Sequence, residues 1–211
     1  MKTKVLVLGA AGAIAQHVVE FLHNDNNIEL TLFARHANQL SQYASTAKII
    51  EGDIANPELL NDAIKGQDIV YANLSGDVDK LATLISNAMT QNGVQRLIFV
   101  TALGVYNEVP GKFGEWNNRM IGSELVRYGK ATKIIEDSKL DYTVVRPSWL
   151  TNNNEVDFET TQKGEPFVGT EVSRKAVAAY ITEVIKNPTK DSKASVGVNK
   201  PGVYGDKPNF Y

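Results

Sequence analysis

The chain has 211 residues, 43% of them apolar and 22% charged, a composition typical of a soluble globular domain with one sizeable core. A formal net charge of −2 gives no electrostatic drive toward nucleic acid or an anionic membrane, and no apolar run is long enough to span a bilayer. Cysteine is absent, which excludes disulfides, thiolate nucleophiles and cysteine–metal sites.

The histidines do not indicate a metal site either. His17, His23 and His36 lack metal-ligand spacing among themselves and beside carboxylates, so no metal is expected. The first four residues run directly into an apolar segment and leave no room for a signal peptide. We expect a cytoplasmic protein, a monomer or homodimer, whose partner is a small-molecule substrate.

The first element of the chain is the apolar run 5–8, which predicts a strand buried on both faces. The run stops at Gly9, and a helical pattern begins at Ala13. The first N–H groups of a helix lack intrahelical partners, and the helix dipole favours an anion there. Gly9 permits the tight turn, and Gly12 lets a diphosphate approach the backbone. The pattern predicts a nucleotide site at Gly9, Ala10, Ala11, Gly12, Ala13 and Ile14. The alternative is a βα turn that uses glycine without binding a ligand.

Strands and helices alternate through the next part of the chain. The apolar pattern predicts strands at 29–34, 47–51, 68–72, 97–101 and 142–146. Asn56 and Pro57 are good N-cap and first-turn residues for a helix over 58–65, and apolar residues at helical spacing follow from 78 to 89. An irregular loop is expected over 102–115, followed by a long helix that ends near Ser138.

The pattern loosens after Trp149. Residues 155–171 show no clear period, 173–186 read as a helix, 195–198 as a last strand and 200–211 as a polar tail. The alternation predicts an α/β fold, a Rossmann-type doubly wound parallel sheet in three αβα layers with strand order 3-2-1-4-5-6. We expect a single domain over 1–211, with substrate-side segments at about 102–120 and 147–172.

Arg35 directly follows the second strand, where an NAD-specific Rossmann unit carries a ribose-binding carboxylate. A guanidinium there can hold a 2′-phosphate with bidentate geometry. Glu29 has the nominal spacing of the ribose acid from Gly9, but it opens the second strand and should lie at the wrong end of the sheet. The sequence thus favours NADP(H) over NAD(H), with a solvated surface charge as the alternative for Arg35.

Further candidates lie where other strands end. Asp53 either accepts a hydrogen bond from an adenine amino group or caps its own loop. The remaining predicted cofactor-binding residues follow the third to sixth strands: Ile54, Ala72, Asn73, Leu74, Thr101 and Pro147. The predicted substrate pocket consists of Tyr106, Trp116, Trp149 and Leu150, whose aromatic rings would suit a flat, conjugated substrate but could equally be packing residues.

Several segments resemble the atypical short-chain dehydrogenase/reductases: 9–15 (GAAGAIA), 52–53 (GD), 99–106 (FVTALGVY) and 140–147 (LDYTVVRP). Within that superfamily the chain is most similar to the NmrA-like and flavin/biliverdin-reductase-like branch, whose late Ser-Arg-x-x-Val-Ala segment resembles 172–178 (VSRKAVA). The resemblance implies a Rossmann fold, an NADP(H) or NAD(H) cofactor and a substrate pocket after the fourth to sixth strands. It also places Thr101 where the family usually has an active-site serine or threonine.

One departure from the family concerns catalysis. Typical members carry a Tyr-x-x-x-Lys pair on the long helix after the fifth strand, with both side chains on one helix face. None of the eight tyrosines has lysine four residues later, and Tyr128 has Thr132 there instead. The dyad cannot be carried over, which leaves Thr101 and Tyr106 as the catalytic candidates. A redox-active acceptor such as a flavin or quinone needs no protein acid for hydride transfer.

Three functions are compatible with these features. The first is an NAD(P)H-binding oxidoreductase that reduces a small conjugated acceptor, flavin- or quinone-like. The second is a non-catalytic NADP(H)-sensing regulatory protein of the NmrA type, which the missing dyad favours. The third is a relative of nucleotide-sugar epimerases or dehydratases, which the short segment after Trp149 disfavours.

Overall fold

Ten strands are present in the computed structural model, which describes residues 1–211. They are β1 (Thr3–Leu8), β2 (Ile28–Ala34), β3 (Ala47–Glu51), β4 (Ile69–Ala72), β5 (Arg96–Val100), β6 (Asp141–Pro147), β7 (Trp149–Thr151), β8 (Glu159–Gln162), β9 (Glu171–Ser173) and β10 (Ala194–Asn199). Eight form one sheet in the order β3-β2-β1-β4-β5-β6-β10-β8, and β7 pairs with β9 in a second, parallel sheet. The predicted order 3-2-1-4-5-6 is confirmed within the larger sheet.

Helices cover both faces of the large sheet. They are α1 (Ala13–Leu22), α2 (Pro57–Ile64), α3 (Val78–Gln91), α4 (Gly111–Asp137) and α5 (Arg174–Lys186), with a 3₁₀ helix over Ala37–Tyr43. One core lies between the sheet and α1 with α5, and a second lies between the sheet and α2, α3 and α4. The predicted three-layer doubly wound arrangement is therefore confirmed. None of these helices combines the length and the hydropathy needed to cross a membrane.

Local signals explain where several helices begin. The Asn56 side chain accepts hydrogen bonds from the N–H groups of Glu58 and Leu59, at 3.1 and 3.2 Å, and so caps α2 as predicted. Ser173 caps α5 in the same way through the N–H of Ala176, at 2.9 Å. By contrast, α1 has no side-chain cap, which leaves its first N–H groups available to a ligand.

Three segments differ from the sequence prediction. The loop predicted over 102–115 ends earlier, because α4 begins at Gly111. Residues 155–171, which show no period, contain β8, an antiparallel edge strand beside β10. Its sequence Glu-Thr-Thr-Gln lacks the apolar alternation of a strand with one buried face, because an edge strand is largely solvated. The segment 200–211 is not a free tail but returns to pack on the body of the protein.

Candidate functional site

The turn after β1 requires glycine at its first position. Gly9 has φ +78°, and a Cβ added there would lie 2.3 Å from the backbone oxygen of Asn73. The N–H groups of Gly9 and Ala10 both donate to the carbonyl of Phe33, at 3.0 and 3.1 Å, and Gly12 donates to the carbonyl of Gly9 at 2.9 Å. The turn is thus locked to β2 and β4, and it delivers the chain directly into α1.

The start of α1 is an anion site in geometry and charge. The N–H groups of Ala11, Ala13 and Ile14 donate to no acceptor in the protein, and the positive end of the helix dipole lies there. A Cβ added at Gly12 would lie 2.3 Å from Nδ2 of Asn73, so only glycine leaves this approach open. The cradle of small residues and free amides fits the diphosphate of a dinucleotide.

A cleft of about 250 Å³ extends from this turn along the carboxyl edge of the sheet. Eight of the predicted cofactor residues line it: Gly9, Ala11, Gly12, Arg35, Asp53, Ile54, Asn73 and Leu74. Six lining residues were not predicted, and all lie within three residues of those or on α3: Phe33, Ala34, His36, Gly52, Ser75 and Leu81. The cleft therefore runs from the end of β3 across β2 and β1 to the end of β4, where the strand order reverses.

The charged residues of the cleft are arranged asymmetrically. Arg35 and the exposed His36 follow β2 directly, so no carboxylate stands at the end of that strand. Glu29 pairs in register with Lys4 near the start of β1, at the opposite end of the sheet from the cleft. Asp53 lines the cleft and also caps its own loop, since its Oδ1 accepts the N–H of Ala55 at 2.9 Å.

Four of the other predicted cofactor residues lie beneath the cleft or beyond it. Ala10 and Ala72 are fully buried beneath it. Thr101 directly follows β5 and Pro147 is the last residue of β6, so both lie further along the same sheet edge. The hydroxyl of Thr101 donates to the carbonyl of Val145 at 3.2 Å, and its backbone N–H donates to the same carbonyl at 2.7 Å. Thr101 is thus fixed at the edge, with hydroxyl lone pairs left to accept a hydrogen bond.

An aromatic pair, Trp116 and Trp149, lies beyond the ends of β5 and β6. Their ring centroids are 4.6 Å apart, and both rings pack on a small buried cluster of Leu103, Phe113 and Phe167. The indole N–H of Trp149 donates to Oδ1 of Asn117 at 2.9 Å. Asn117 is 1% exposed, and its Nδ2 has no hydrogen-bond partner in the protein. The structure thus brings together two of the four predicted pocket residues.

Leu150 and Tyr106 lie apart from the aromatic pair. Leu150 follows Trp149 on β7, so its side chain points to the other face and packs against the core beneath α1 and α5. Tyr106 donates its hydroxyl to Glu136 at 2.6 Å, and its ring lies 4.5 Å from Nζ of Lys163. Burial and the Glu136 carboxylate raise the pKa of Tyr106, so its phenol stays protonated.

A buried ion pair, which the sequence analysis missed, supports the loop before α4. Arg146 is fully buried on β6 and donates to Glu108 at 2.5 Å. Glu108 also accepts the N–H groups of Gly104 and Tyr106, at 3.0 and 2.9 Å. The sequence carries a signal for this ion pair. Arg146 is a charged residue inside an otherwise mostly apolar strand, and a buried guanidinium requires a partner.

Tyr128, the tyrosine of α4, lies beside the cleft without lining it. Its hydroxyl lies 3.4 Å from the carbonyl oxygen of Leu74, a residue that lines the cleft. Burial, with a smaller contribution from Glu124, raises the pKa of Tyr128. Thr132 lies one turn further along, and its hydroxyl donates to the carbonyl of Tyr128 at 2.8 Å, so no lysine stands where the family dyad would place one.

A free-amide turn between the first strand and helix, at the switch point of a doubly wound sheet, defines a dinucleotide-binding Rossmann protein. The family profile described as NAD(P)H-binding matches residues 9–188. The chain belongs to this NAD(P)H-binding family, and the resemblance to atypical short-chain dehydrogenase/reductases is confirmed.

Solved structures similar to the chain share its fold over the whole length. A Rossmann-fold NAD(P)-binding family protein from Shigella flexneri is 43% identical, with a TM-score of 0.87 and full coverage of both chains. A short-chain dehydrogenase/reductase from Veillonella parvula, solved in complex with NADP, is 28% identical, with a TM-score of 0.93 and full coverage of both chains.

Curated relatives match over shorter regions. The oxidoreductase aprR of Aspergillus flavus is 36% identical over 100 residues, which are 46% of this chain and 33% of that protein. The NAD(P)H azoreductase of Xenophilus azovorans is 25% identical over 152 residues, which are 71% of this chain and 49% of that protein. The chain thus matches a third to a half of the length of these two proteins.

Proposed function

We propose that this protein is an NADPH-dependent reductase that reduces a small conjugated acceptor of the flavin or quinone type. The observation that carries the proposal is the arrangement of one sheet edge. An amide-lined anion site opens into a cleft at β1 to β4, and the aromatic pair lies at the adjoining ends of β5 and β6. A ligand that spans the edge would have its charged end at α1 and its reactive end toward flat aromatic surfaces.

The residues of the cleft divide the binding of the cofactor among them. The N–H groups of Ala11, Ala13 and Ile14 would hold the diphosphate, and Arg35 would hold the 2′-phosphate with charge-assisted hydrogen bonds. The missing carboxylate after β2 supports NADP(H) over NAD(H), as does the NADP complex of the Veillonella parvula protein. When bound, the reduced nicotinamide supplies the hydride.

Where the acceptor would react, the protein orients the acceptor and does not need to transfer a proton to it. Thr101 is held at the end of β5 by two hydrogen bonds to Val145, so its hydroxyl can orient a polar group of the acceptor. Flavins and quinones are electrophilic without a protein acid and can take their proton from solvent. The absence of the family dyad is compatible with such acceptors, and the azo group named for the Xenophilus azovorans relative is another conjugated acceptor. We assign Tyr106 to the support of its loop.

A second candidate function is a non-catalytic NADP(H)-sensing regulator. Two observations favour it: Thr132 stands in place of the dyad lysine, and the ring of Tyr211 lies against the aromatic pair. Such a protein would bind the cofactor in the same cleft and leave it chemically unchanged.

The experiment that separates the two functions measures NADPH oxidation over a panel of flavins, quinones and aldehydes, together with NADPH affinity by calorimetry. A reductase gives saturable oxidation with at least one flavin or quinone and little with simple aldehydes. Tight NADPH binding with no oxidation above the protein-free rate across the panel would overturn the reductase and leave the regulator.

A further inference from the structure

The aromatic pair is covered by a residue of the same chain. The ring of Tyr211 lies 5.0 Å from Trp116 and 5.2 Å from Trp149, centroid to centroid, with interplanar angles of 66° and 82°. These are edge-to-face contacts of the kind that aromatic rings prefer. Tyr211 therefore occupies the surface that both tryptophans offer, and this surface is called the acceptor seat below.

The segment that carries Tyr211 is attached to the body of the protein at several points before its last two residues. The backbone N–H of Lys200 donates to the carbonyl of Glu171 at 2.8 Å, and the N–H of Thr170 donates to the carbonyl of Val203 at 3.1 Å. Past Tyr204, the polar links to the body are an N–H from Asn209 to the Glu171 carboxylate, at 2.9 Å, and an exposed ion pair between Lys112 and Asp206, at 3.4 Å. Exposed ion pairs contribute little, but Pro208 is buried and Glu171 is 6% exposed, so the segment is anchored as far as Asn209 and Tyr211 lies beyond the last polar link to the body.

Asn117 fixes one of the two rings of the seat. Oδ1 of Asn117 holds the indole of Trp149, while Nδ2 of the same amide is buried and donates to no protein atom. A Cβ added at Gly104 would lie 2.8 Å from this Nδ2, so the amide is enclosed by the loop before α4 and the seat contacts a ligand through its rings. Flavins and quinones offer a flat ring that can take the place of the phenol ring of Tyr211.

We propose that Tyr211 is an internal competitor for the acceptor seat, and that a planar conjugated acceptor binds by displacing it. This inference rests on the proposed reductase function for its choice of ligand. Tyr211 is 50% exposed, so half of its surface is already in solvent before it is displaced. An acceptor ring gains the same aromatic contacts that Tyr211 gives up, and acceptors without a flat ring do not.

The test compares Tyr211→Ala with Tyr204→Ala, a matched change in the same segment at a ring that does not contact the tryptophans. Trp116 and Trp149 are the two tryptophans of the chain, so tryptophan emission reports on the seat alone. We expect a red shift of the emission in Tyr211→Ala and none in Tyr204→Ala. Calorimetry with FMN and with a naphthoquinone should give affinities about tenfold higher for Tyr211→Ala than for the unmodified chain, and an unchanged affinity for NADP⁺.

Unchanged emission in Tyr211→Ala would overturn the inference, and so would equal affinity, or no affinity, for both probes in all three proteins. Activity assays keep this result separate from the proposed function. If Tyr211→Ala and the unmodified chain both oxidise NADPH with the same acceptor KM, the displacement of Tyr211 is wrong and the reductase function stands. If Tyr211→Ala binds the probes more tightly but none of the proteins oxidises NADPH, Tyr211 does compete for the seat and the reductase function is wrong.

Discussion

The two halves of the sheet edge are built in opposite ways. At the ends of β1 to β4, glycines and alanines leave an open cleft whose backbone amides lack acceptors. At the ends of β5 and β6, tryptophans, a buried ion pair and a returning segment fill the space. The half at the ends of β1 to β4, the cofactor half, is therefore open, whereas the half at the ends of β5 and β6 is filled by contacts within the protein. We call the second the acceptor half after the proposed function, under which it must rearrange to admit a ligand.

Because of this difference, we expect substitutions in the two halves to change different properties of the protein. A preformed site loses affinity when its free amides are obstructed, with little effect on folding. A filled site loses stability when one of its internal partners is removed, with little effect on the cofactor. Substitutions in the two halves should therefore separate binding from stability.

The largest expected effect is on stability and comes from the acceptor half. Arg146→Ala leaves the carboxylate of Glu108 buried without its partner, which should lower the free energy of unfolding by about 3–5 kcal/mol. Urea denaturation measures this. The control is Arg127→Ala, which removes an exposed pair with Asp77 and should cost far less, because exposed ion pairs contribute little to stability. Equal losses in the two variants would show that the buried pair does not stabilise this half.

Gly12→Val should give the largest effect on binding. The added side chain enters the space between the turn and Asn73 and keeps the diphosphate from the free amides. The loss of two charge-assisted hydrogen bonds, about 1.5–3 kcal/mol each, lowers NADPH affinity by about 100-fold or more. Gly122→Val on α4 is the control, because nothing lies within 4 Å of a Cβ added there. Calorimetry that finds NADPH affinity retained in Gly12→Val would contradict the site.

Arg35→Glu should produce a smaller and selective effect within the cofactor half. The reversed charge repels the 2′-phosphate, so NADPH affinity should fall by about 10- to 100-fold while NADH affinity changes little. The exposed Arg119→Glu on α4 serves as the control for net charge. A similar loss for both nucleotides would mean that Arg35 does not select the phosphate.

Tyr128→Phe is expected to have the smallest effect. If flavin or quinone acceptors take their proton from solvent, turnover with them should change by less than about threefold, whereas loss of a true general acid costs about 10²–10⁴. Steady-state kinetics with saturating NADPH and varied acceptor measures kcat for Tyr128→Phe and for the unmodified chain. A large fall in kcat, with KM for the acceptor unchanged, would show that Tyr128 transfers a proton.

The sequence predicts the cofactor half better than the acceptor half, for a physical reason. Gly9, Gly12 and the Asn56 cap act within a few residues of themselves, so their spacing alone predicts a turn or a helix start. The alternating pattern of strands likewise predicts the sheet order. These features require no knowledge of distant contacts.

The acceptor half depends on contacts between residues far apart in the chain. Tyr106 is directed toward Glu136, thirty positions away, by a loop that Glu108 and Arg146 organise together. Leu150 was expected beside Trp149, but β7 sends neighbouring side chains to opposite faces. Tyr211 carries no local signal for its place against the tryptophans, because a polar segment gives no periodicity to interpret.

The most direct test of the account is calorimetric titration of the unmodified chain and of Gly12→Val with NADPH, NADP⁺ and NADH. The account predicts saturable binding of NADPH and NADP⁺ at one site on the unmodified chain, weaker binding of NADH, and no measurable binding to Gly12→Val when that variant is folded. Failure of all three nucleotides to bind the unmodified chain, or equal binding to both proteins, would contradict it.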